Sequence, residues 1–227
     1  MCNKFSKSNS LIGAKRLGTK ITAMDFPRTI HDFGGFPKAL FDVQYNVPGN
    51  PLLAAETASV IQFTQIEMNH DWGPDHGTWT VVRHMYPEAK IPVLQLSIDY
   101  TKGAKYHYNL AKELYNLRKK GVLIVGSGNM VHNLGMVAWD RINEPGYGYD
   151  WALELNEKFK HLITNGEHEH LINYETLGKE ARLAIPTPEH YLPLIYTIGL
   201  TGSNDTTSFF NDKAVGGSLT MTSVKFG

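Results

Sequence analysis

The chain has 227 residues, 42% hydrophobic and 19% charged, a composition that supports one globular core and excludes a disordered or disulfide-stapled polypeptide. With 22 basic against 22 acidic side chains the formal net charge is zero, so nothing argues for nucleic acid or an anionic membrane as a partner. The single cysteine, Cys2, rules out an intrachain disulfide and a thiolate metal cage, leaving any metal to carboxylates and the ten histidines, a set that suits zinc or non-haem iron.

Residues 1–20 carry Lys4, Lys7, Lys15, Arg16 and Lys20 with no acid and without the ~7–15-residue apolar run of a secretory signal, so a cytoplasmic location is expected. No run approaches the ~18 apolar residues of a membrane-spanning helix; 192–200 is short and holds Pro193. A short strand is expected over 21–26, followed by a loop at Asp32-Phe-Gly-Gly-Phe-Pro37. A helix should start at about Pro51, capped by Asn50, with Leu52, Leu53, Ala55, Val60 and Ile61 as apolar positions. Residues 69–79 read as a loop rich in His, Asp, Gly and Trp.

The apolar run 91–98, the amphipathic stretch 104–120, Gly121 as a helix stop and the run 122–125 make a strand–helix–strand unit. Two nearly all-apolar strands joined by such a helix predict a right-handed crossover in a mostly parallel central sheet with helices on both faces, an α/β fold. The loop Gly126 to Asn133 then leaves the carboxyl end of the second strand, where such sheets place ligands, so His132 reads as a site residue or as a histidine satisfied by local hydrogen bonds. Beyond it, 150–162 reads as a helix, Thr187-Pro188-Glu189-His190 as a helix start, and 218–226 as a closing strand. No repeat or linker divides the chain, which is read as a single domain over 1–227 with a divergent basic segment at 1–20.

Among candidate sites, Gly126-Ser-Gly128 is no dinucleotide fingerprint, because the third glycine would fall on Val131. His168-Glu-His170 would share one face only on an extended backbone, and its polar setting favours an exposed turn. His31 beside Asp32 reads equally as a site loop or a capped turn. Asp75-His76-Gly77 reads equally as a packed structural loop or as a site in which a carboxylate adjoins an imidazole whose pKa it can tune, within aromatic walls suited to a ring. His70, His84, His107 and His161 lie in charged or helical surroundings where exposure is expected.

Five blocks occur in the order of a known family: Thr29-Ile-His-Asp-Phe-Gly-Gly-Phe-Pro37, Trp72-Gly-Pro-Asp-His-Gly-Thr-Trp79, Pro92-Val-Leu-Gln-Leu-Ser-Ile-Asp99, Gly126-Ser-Gly-Asn-Met-Val-His-Asn133 and Pro186-Thr-Pro-Glu-His-Tyr-Leu-Pro193. From about Ile21 onward the chain resembles the bacterial 4,5-DOPA extradiol dioxygenases, which are class III ring-cleaving dioxygenases. The resemblance implies an α/β fold and a divalent metal, zinc or ferrous iron, with His132 and His190 among its ligands. It further implies His76 as the active-site histidine that orients the substrate or carries its protons, with His132 as the other candidate for the proton shuttle, and a catechol and O2 as reactants; His31 is a candidate at the substrate, and the loss of a leading strand would favour a homo-oligomer. The family's two N-terminal motifs, Gly-His-Gly-Ser-Pro and Ser-Ala-His-Trp, which each supply a ligand, do not occur. The chain reads Leu11-Ile-Gly-Ala-Lys-Arg16 where the second would fall, and the family's first strand and helix are expected to be missing. The alternative is therefore an N-terminally truncated or non-catalytic homologue that acts only in binding or assembly.

Overall fold

The computed structural model describes residues 8–227, with side chains from Arg16 onward. It resolves into two compact units: one runs to Lys102 and resumes over Asn109–Ser127, and the other comprises Gly103–Tyr108 and Gly128–Gly227.

The first unit is built on a five-stranded sheet. In chain order its elements are β1 (Ser8–Arg16), β2 (Lys20–Thr22), α1 (Lys38–Phe41), α2 (Pro51–Val60), β3 (Glu67–Asn69), α3 (His76–Met85), β4 (Val93–Asp99), most of α4 (Ala104–Lys119) and β5 (Val122–Gly126). The strand order is β3-β2-β4-β1-β5. The β1–β4, β1–β5 and β2–β3 pairings are parallel and β2–β4 is antiparallel, so the sheet is mostly parallel, as the strand–helix–strand unit implies. β1, which includes Leu11–Arg16, lies between β4 and β5 and pairs with both.

All seven residues of β4 are buried, which a strand flanked on both edges and covered on both faces requires. Its apolar members Leu94, Leu96 and Ile98 alternate with Gln95, Ser97 and Asp99. Most of the polar stripe is satisfied locally, since an unpaired buried polar group costs about 1–3 kcal/mol; the exception is Gln95 Nε2, which has no hydrogen-bond partner among the described residues. The Gln95 backbone N–H donates to Thr22 Oγ1 at 2.9 Å, its side-chain Oε1 accepts from the Asp75 N–H at 3.2 Å, Ser97 Oγ accepts from the Lys20 N–H at 2.8 Å, and Asp99 holds the Thr101 N–H and hydroxyl at 3.0 and 2.7 Å. Side chains thus join β2 to β4, where the backbone ladder has only the Ile21–Leu96 partnership.

Helix starts and stops follow the sequence closely. Asn50 caps α2 by accepting from the Leu53 N–H at 2.9 Å, with Pro51 in the first turn, and Gly121 ends α4 with φ 81°, a conformation a side chain disfavours. Of the apolar positions of α2, Leu53 is buried while Leu52 is 84% exposed, and the buried face is Leu53, Ala54 and Thr57. The expected strand over 21–26 is shorter and displaced, as β2. The expected loop over 69–79 is also corrected: α3 begins at His76, because Asp75 caps it from the Thr78 N–H at 3.0 Å and Trp79, Val82 and Tyr86 recur at helical spacing. Trp79 and Val82 pack with Tyr45, Val47 and Val93 into a core, each such side chain contributing about 1.5–3 kcal/mol.

The second unit holds α5 (Asp150–Thr164), α6 (His168–Ile172), α7 (Lys179–Ala184), α8 (Leu192–Gly199) and the strands β6 (Thr207–Phe210), β7 (Ala214–Val215), β8 (Leu219–Thr220) and β9 (Ser223–Phe226). The strands pair antiparallel as β6–β9 and β7–β8, so the expected closing strand over 218–226 is broken in two. Helix α5 buries Ala152, Leu155, Phe159, Leu162 and Ile163 along one stripe, and seven of the eight residues of α8 are buried. Among the described residues no helix is long and apolar enough to cross a membrane.

Candidate active site

The two expected metal ligands meet within the second unit. The 128–133 segment runs beside the turn that precedes α8: the Asn129 N–H donates to the His190 carbonyl at 2.8 Å, and the His132 N–H donates to the Ala184 carbonyl at 2.9 Å. Gly128 permits this approach, since a Cβ there would lie 2.1 Å from the His190 carbonyl oxygen. Pro188, Glu189 and His190 form a single 3-10 turn rather than the start of a longer helix, and the Thr187 hydroxyl bonds Glu189 at 2.8 Å instead of capping a backbone N–H. As a result the His132 and His190 rings stack face to face, 3.7 Å between centroids and 11° between planes.

Burial lowers the proton affinity of His132, against a smaller opposing pull from Glu189, and so favours the neutral imidazole that ligates metals. The donors are therefore right in kind. In number they are two, and no group of three or more His, Cys, Asp or Glu side chains among the described residues is placed to hold a metal ion, whereas catalytic zinc and non-haem iron centres commonly take three protein ligands. The pair fits a divalent metal as part of its ligand set.

His76 and His31 lie in the first unit, in one aromatic cluster. Phe33 packs edge-on against both rings, at 5.5 Å from His76 and 5.9 Å from His31, and also contacts Phe36, Phe41 and Trp79. The ring of His31 is anchored rather than open at one nitrogen, since Nε2–H donates to the Val43 carbonyl at 2.9 Å. His76 stands at the first position of α3, its side chain 46% exposed.

The carboxylate that holds His76 is Asp32, 44 residues away, and not its neighbour Asp75. Asp32 Oδ1 accepts from His76 Nδ1–H at 2.6 Å and from the His76 backbone N–H at 3.1 Å. The side-chain hydrogen bond from Asp32 raises the pKa of His76 above the ordinary histidine value, against partial burial, with further help from the charges of Asp32 and Asp75. Partial burial opposes ionisation of Asp32, but its bonds to His76 outweigh it and the carboxyl pKa falls. Asp75 is consumed by its cap, and burial, reinforced by the charge of Asp32, pushes its pKa up.

Two other expectations are corrected. His168 and His170 lie on α6, so the extended backbone that a shared metal would need is absent there, and His168 instead bonds the Tyr108 hydroxyl at 3.0 Å. His70, His84 and His161 are exposed as expected, but His107 is wholly buried, its Nδ1 3.0 Å from the Tyr196 hydroxyl. The role of Asp32 had no sequence signal, because nothing local relates position 32 to position 76. The start of α3 did have one, in the Asp75 cap ahead of Trp79, Val82 and Tyr86.

Comparison with known proteins agrees with this arrangement of motifs. Residues 19–226 match the family model described as the catalytic LigB subunit of aromatic ring-opening dioxygenase. The chain is 43% identical over 215 residues to the 4,5-DOPA dioxygenase extradiol of Escherichia coli (strain K12), spanning 92% of this chain and 78% of that protein. It is 34% identical over 210 residues to the 4,5-DOPA dioxygenase extradiol of Beta vulgaris, spanning 91% and 76%. A crystal structure of a protein from Escherichia coli K12, described as uncharacterized, superposes with a TM-score of 0.82 at 35% identity over 96% of this chain and 85% of that one. The α/β fold and the ordered blocks around His31, His76, His132 and His190 thus have their explanation in descent: the chain belongs to the family of the catalytic LigB subunit of aromatic ring-opening dioxygenases.

Proposed function

We propose that the chain is a metal-dependent extradiol dioxygenase that opens a catechol ring, such as that of DOPA, next to its diol. The observation that carries the reading is the stacked His132–His190 pair, two imidazoles of the right kind on the two blocks where the family resemblance places metal ligands. DOPA enters from the names of the relatives, which are 34–43% identical to this chain.

The reaction balances without an outside reductant. The carbon–carbon bond beside the diol and the O–O bond break, one ring carbon becomes a carboxyl and its neighbour an aldehyde, and both oxygen atoms stay in the product. His132 and His190 would supply part of the ligand set of a divalent metal, which when bound would provide proximity of the reactants and neutralisation of catecholate charge. Zinc would suit the same imidazoles but has no redox chemistry, so the reading takes ferrous iron as the working metal. His76 takes the proton that the catechol gives up and returns it to the product, work for which a pKa near the working pH is suited. His31, with Phe33, Phe41 and Trp79, contributes an aromatic wall for the substrate ring.

The test is turnover of DOPA under 18O2 after anaerobic loading with ferrous iron. Both labelled atoms in a ring-opened semialdehyde support the reading. Metal binding with no ring opening would overturn it in favour of a role in binding or assembly.

A further inference from the structure

We propose that Asp32 is a positioning residue of this reaction: it fixes the His76 imidazole with its proton on Nδ1, so that Nε2 is the ring atom that takes the catechol hydroxyl proton and gives it back. The inference rests on the catechol reading for the reaction, but its geometric half does not.

A carboxylate oxygen can only accept, so the contact from His76 Nδ1 to Asp32 Oδ1 at 2.6 Å keeps hydrogen on Nδ1 in both charge states of the ring. A neutral imidazole carries one N–H, and Nε2 is then bare. The same oxygen also takes the His76 backbone N–H at 3.1 Å, so ring and main chain are tied to one atom. Phe33, the next residue, closes on the ring edge-on at 82°.

The loop that carries Asp32 is itself fastened to the start of α3. The Ile30 N–H donates to the Pro74 carbonyl at 2.8 Å, and Trp79 Nε1–H donates to the Ile30 carbonyl at 3.0 Å. Gly73 admits the neighbouring backbone, since a Cβ there would lie 2.0 Å from the Arg28 carbonyl oxygen. On the helix side, the Thr80 hydroxyl bonds the His76 carbonyl at 2.6 Å and Asp75 caps the first turn. Both partners are therefore held by contacts other than the one between them, which distinguishes a built pair from a chance surface contact.

The charged groups that act on His76 are Asp32, from the loop, and Asp75, from the cap. Both are acids, so each favours the imidazolium that exists between taking the proton and returning it. Catechol and O2 together have the composition of the ring-opened product, so the borrowed proton must be returned, and one nitrogen facing substrate can serve in both directions.

The experiment is 15N NMR of histidine-labelled full-length chain across pH, comparing wild type, Asp32→Asn and Asp32→Glu, with His76→Gln to assign the signal, alongside pH profiles of kcat/KM for catechol ring opening by the iron-loaded enzyme. In the wild type, neutral His76 should be protonated on Nδ1 and titrate above an ordinary histidine. In Asp32→Asn the titration and the rising limb of kcat/KM should both move to lower pH, with kcat at neutral pH down about tenfold or more and KM changed little, and Asp32→Glu should restore part of each. Neutral His76 protonated on Nε2, or an Asp32→Asn variant whose titration does not move, overturns the inference. A moved titration with an unmoved profile also overturns it, by removing Asp32 from the reaction. A wild type that opens no catechol refutes the proposed function instead, and the NMR result still decides the pairing.

Discussion

Asp32 Oδ1 accepts from both the ring Nδ1–H and the backbone N–H of His76, joining a glycine-rich loop to the first turn of α3 across 44 residues of sequence. Its contribution to stability has a defined pH window. The pKa of His76 is raised, so its contribution is complete below the ordinary value of ~6.5 and is lost as pH rises through the raised value. The pKa of Asp32 is lowered, so its contribution is present above ~3.9 and is lost as pH falls through the lowered value. Both side chains are more than a third exposed, at 46% and 44%, so solvent screening limits the effect to less than ~1 kcal/mol. Melting curves of wild type and Asp32→Asn should therefore separate most at pH ~4–6.5 and converge at alkaline pH; a difference independent of pH would count against the pairing.

His76→Ala should spare metal binding and slow ring opening by roughly 10²–10⁴, the usual contribution of a general acid or base. Metal analysis with steady-state kinetics on the same preparation checks this, and unchanged oxygen uptake would remove His76 from the reaction.

Gly128→Ala should destabilise the chain by about 1–3 kcal/mol and lower its metal content, because the new Cβ would meet the His190 carbonyl oxygen at 2.1 Å and Pro193 Cγ at 3.0 Å. Gly34→Ala is the control, since nothing lies within 4 Å of the added atom and its φ is not in the left-handed region. Melting temperature and bound metal are the readouts; equal behaviour of the two variants would mean that the close approach at Gly128 does not support the histidine pair.

Tyr196→Phe should cost about 1–3 kcal/mol by removing the hydroxyl 3.0 Å from Nδ1 of the wholly buried His107. For a chain of this size that is a fall of roughly 2–4 °C in Tm per kcal/mol, measurable by calorimetry.

The parts of the molecule legible in the sequence are those whose cause is local. Asn50 with Pro51, the apolar run that became β4, and Gly121 each specify a backbone state through their own chemistry, and each is found in place. The sheet was legible in kind but not in membership, because the polar and basic residues of β1 mask a strand whose place between β4 and β5 comes from long-range pairing. The burial of His107 has no local signal, because Tyr196, whose hydroxyl meets its ring, lies 89 residues away. The contact of Asp32 with His76 has none for the same reason. The adjacent Asp75 looked like the partner of His76, but its carboxylate was already committed to the Thr78 N–H.

The most direct test of the central claim is oxygen uptake against catechol consumed by the ferrous-iron-loaded chain, measured beside His132→Ala and His190→Ala. The account predicts equal amounts of O2 and catechol consumed by the wild type, with uptake and bound iron falling together in both variants. Uptake that survives the loss of either imidazole, or a wild type that binds iron and consumes no oxygen with any catechol, would contradict it.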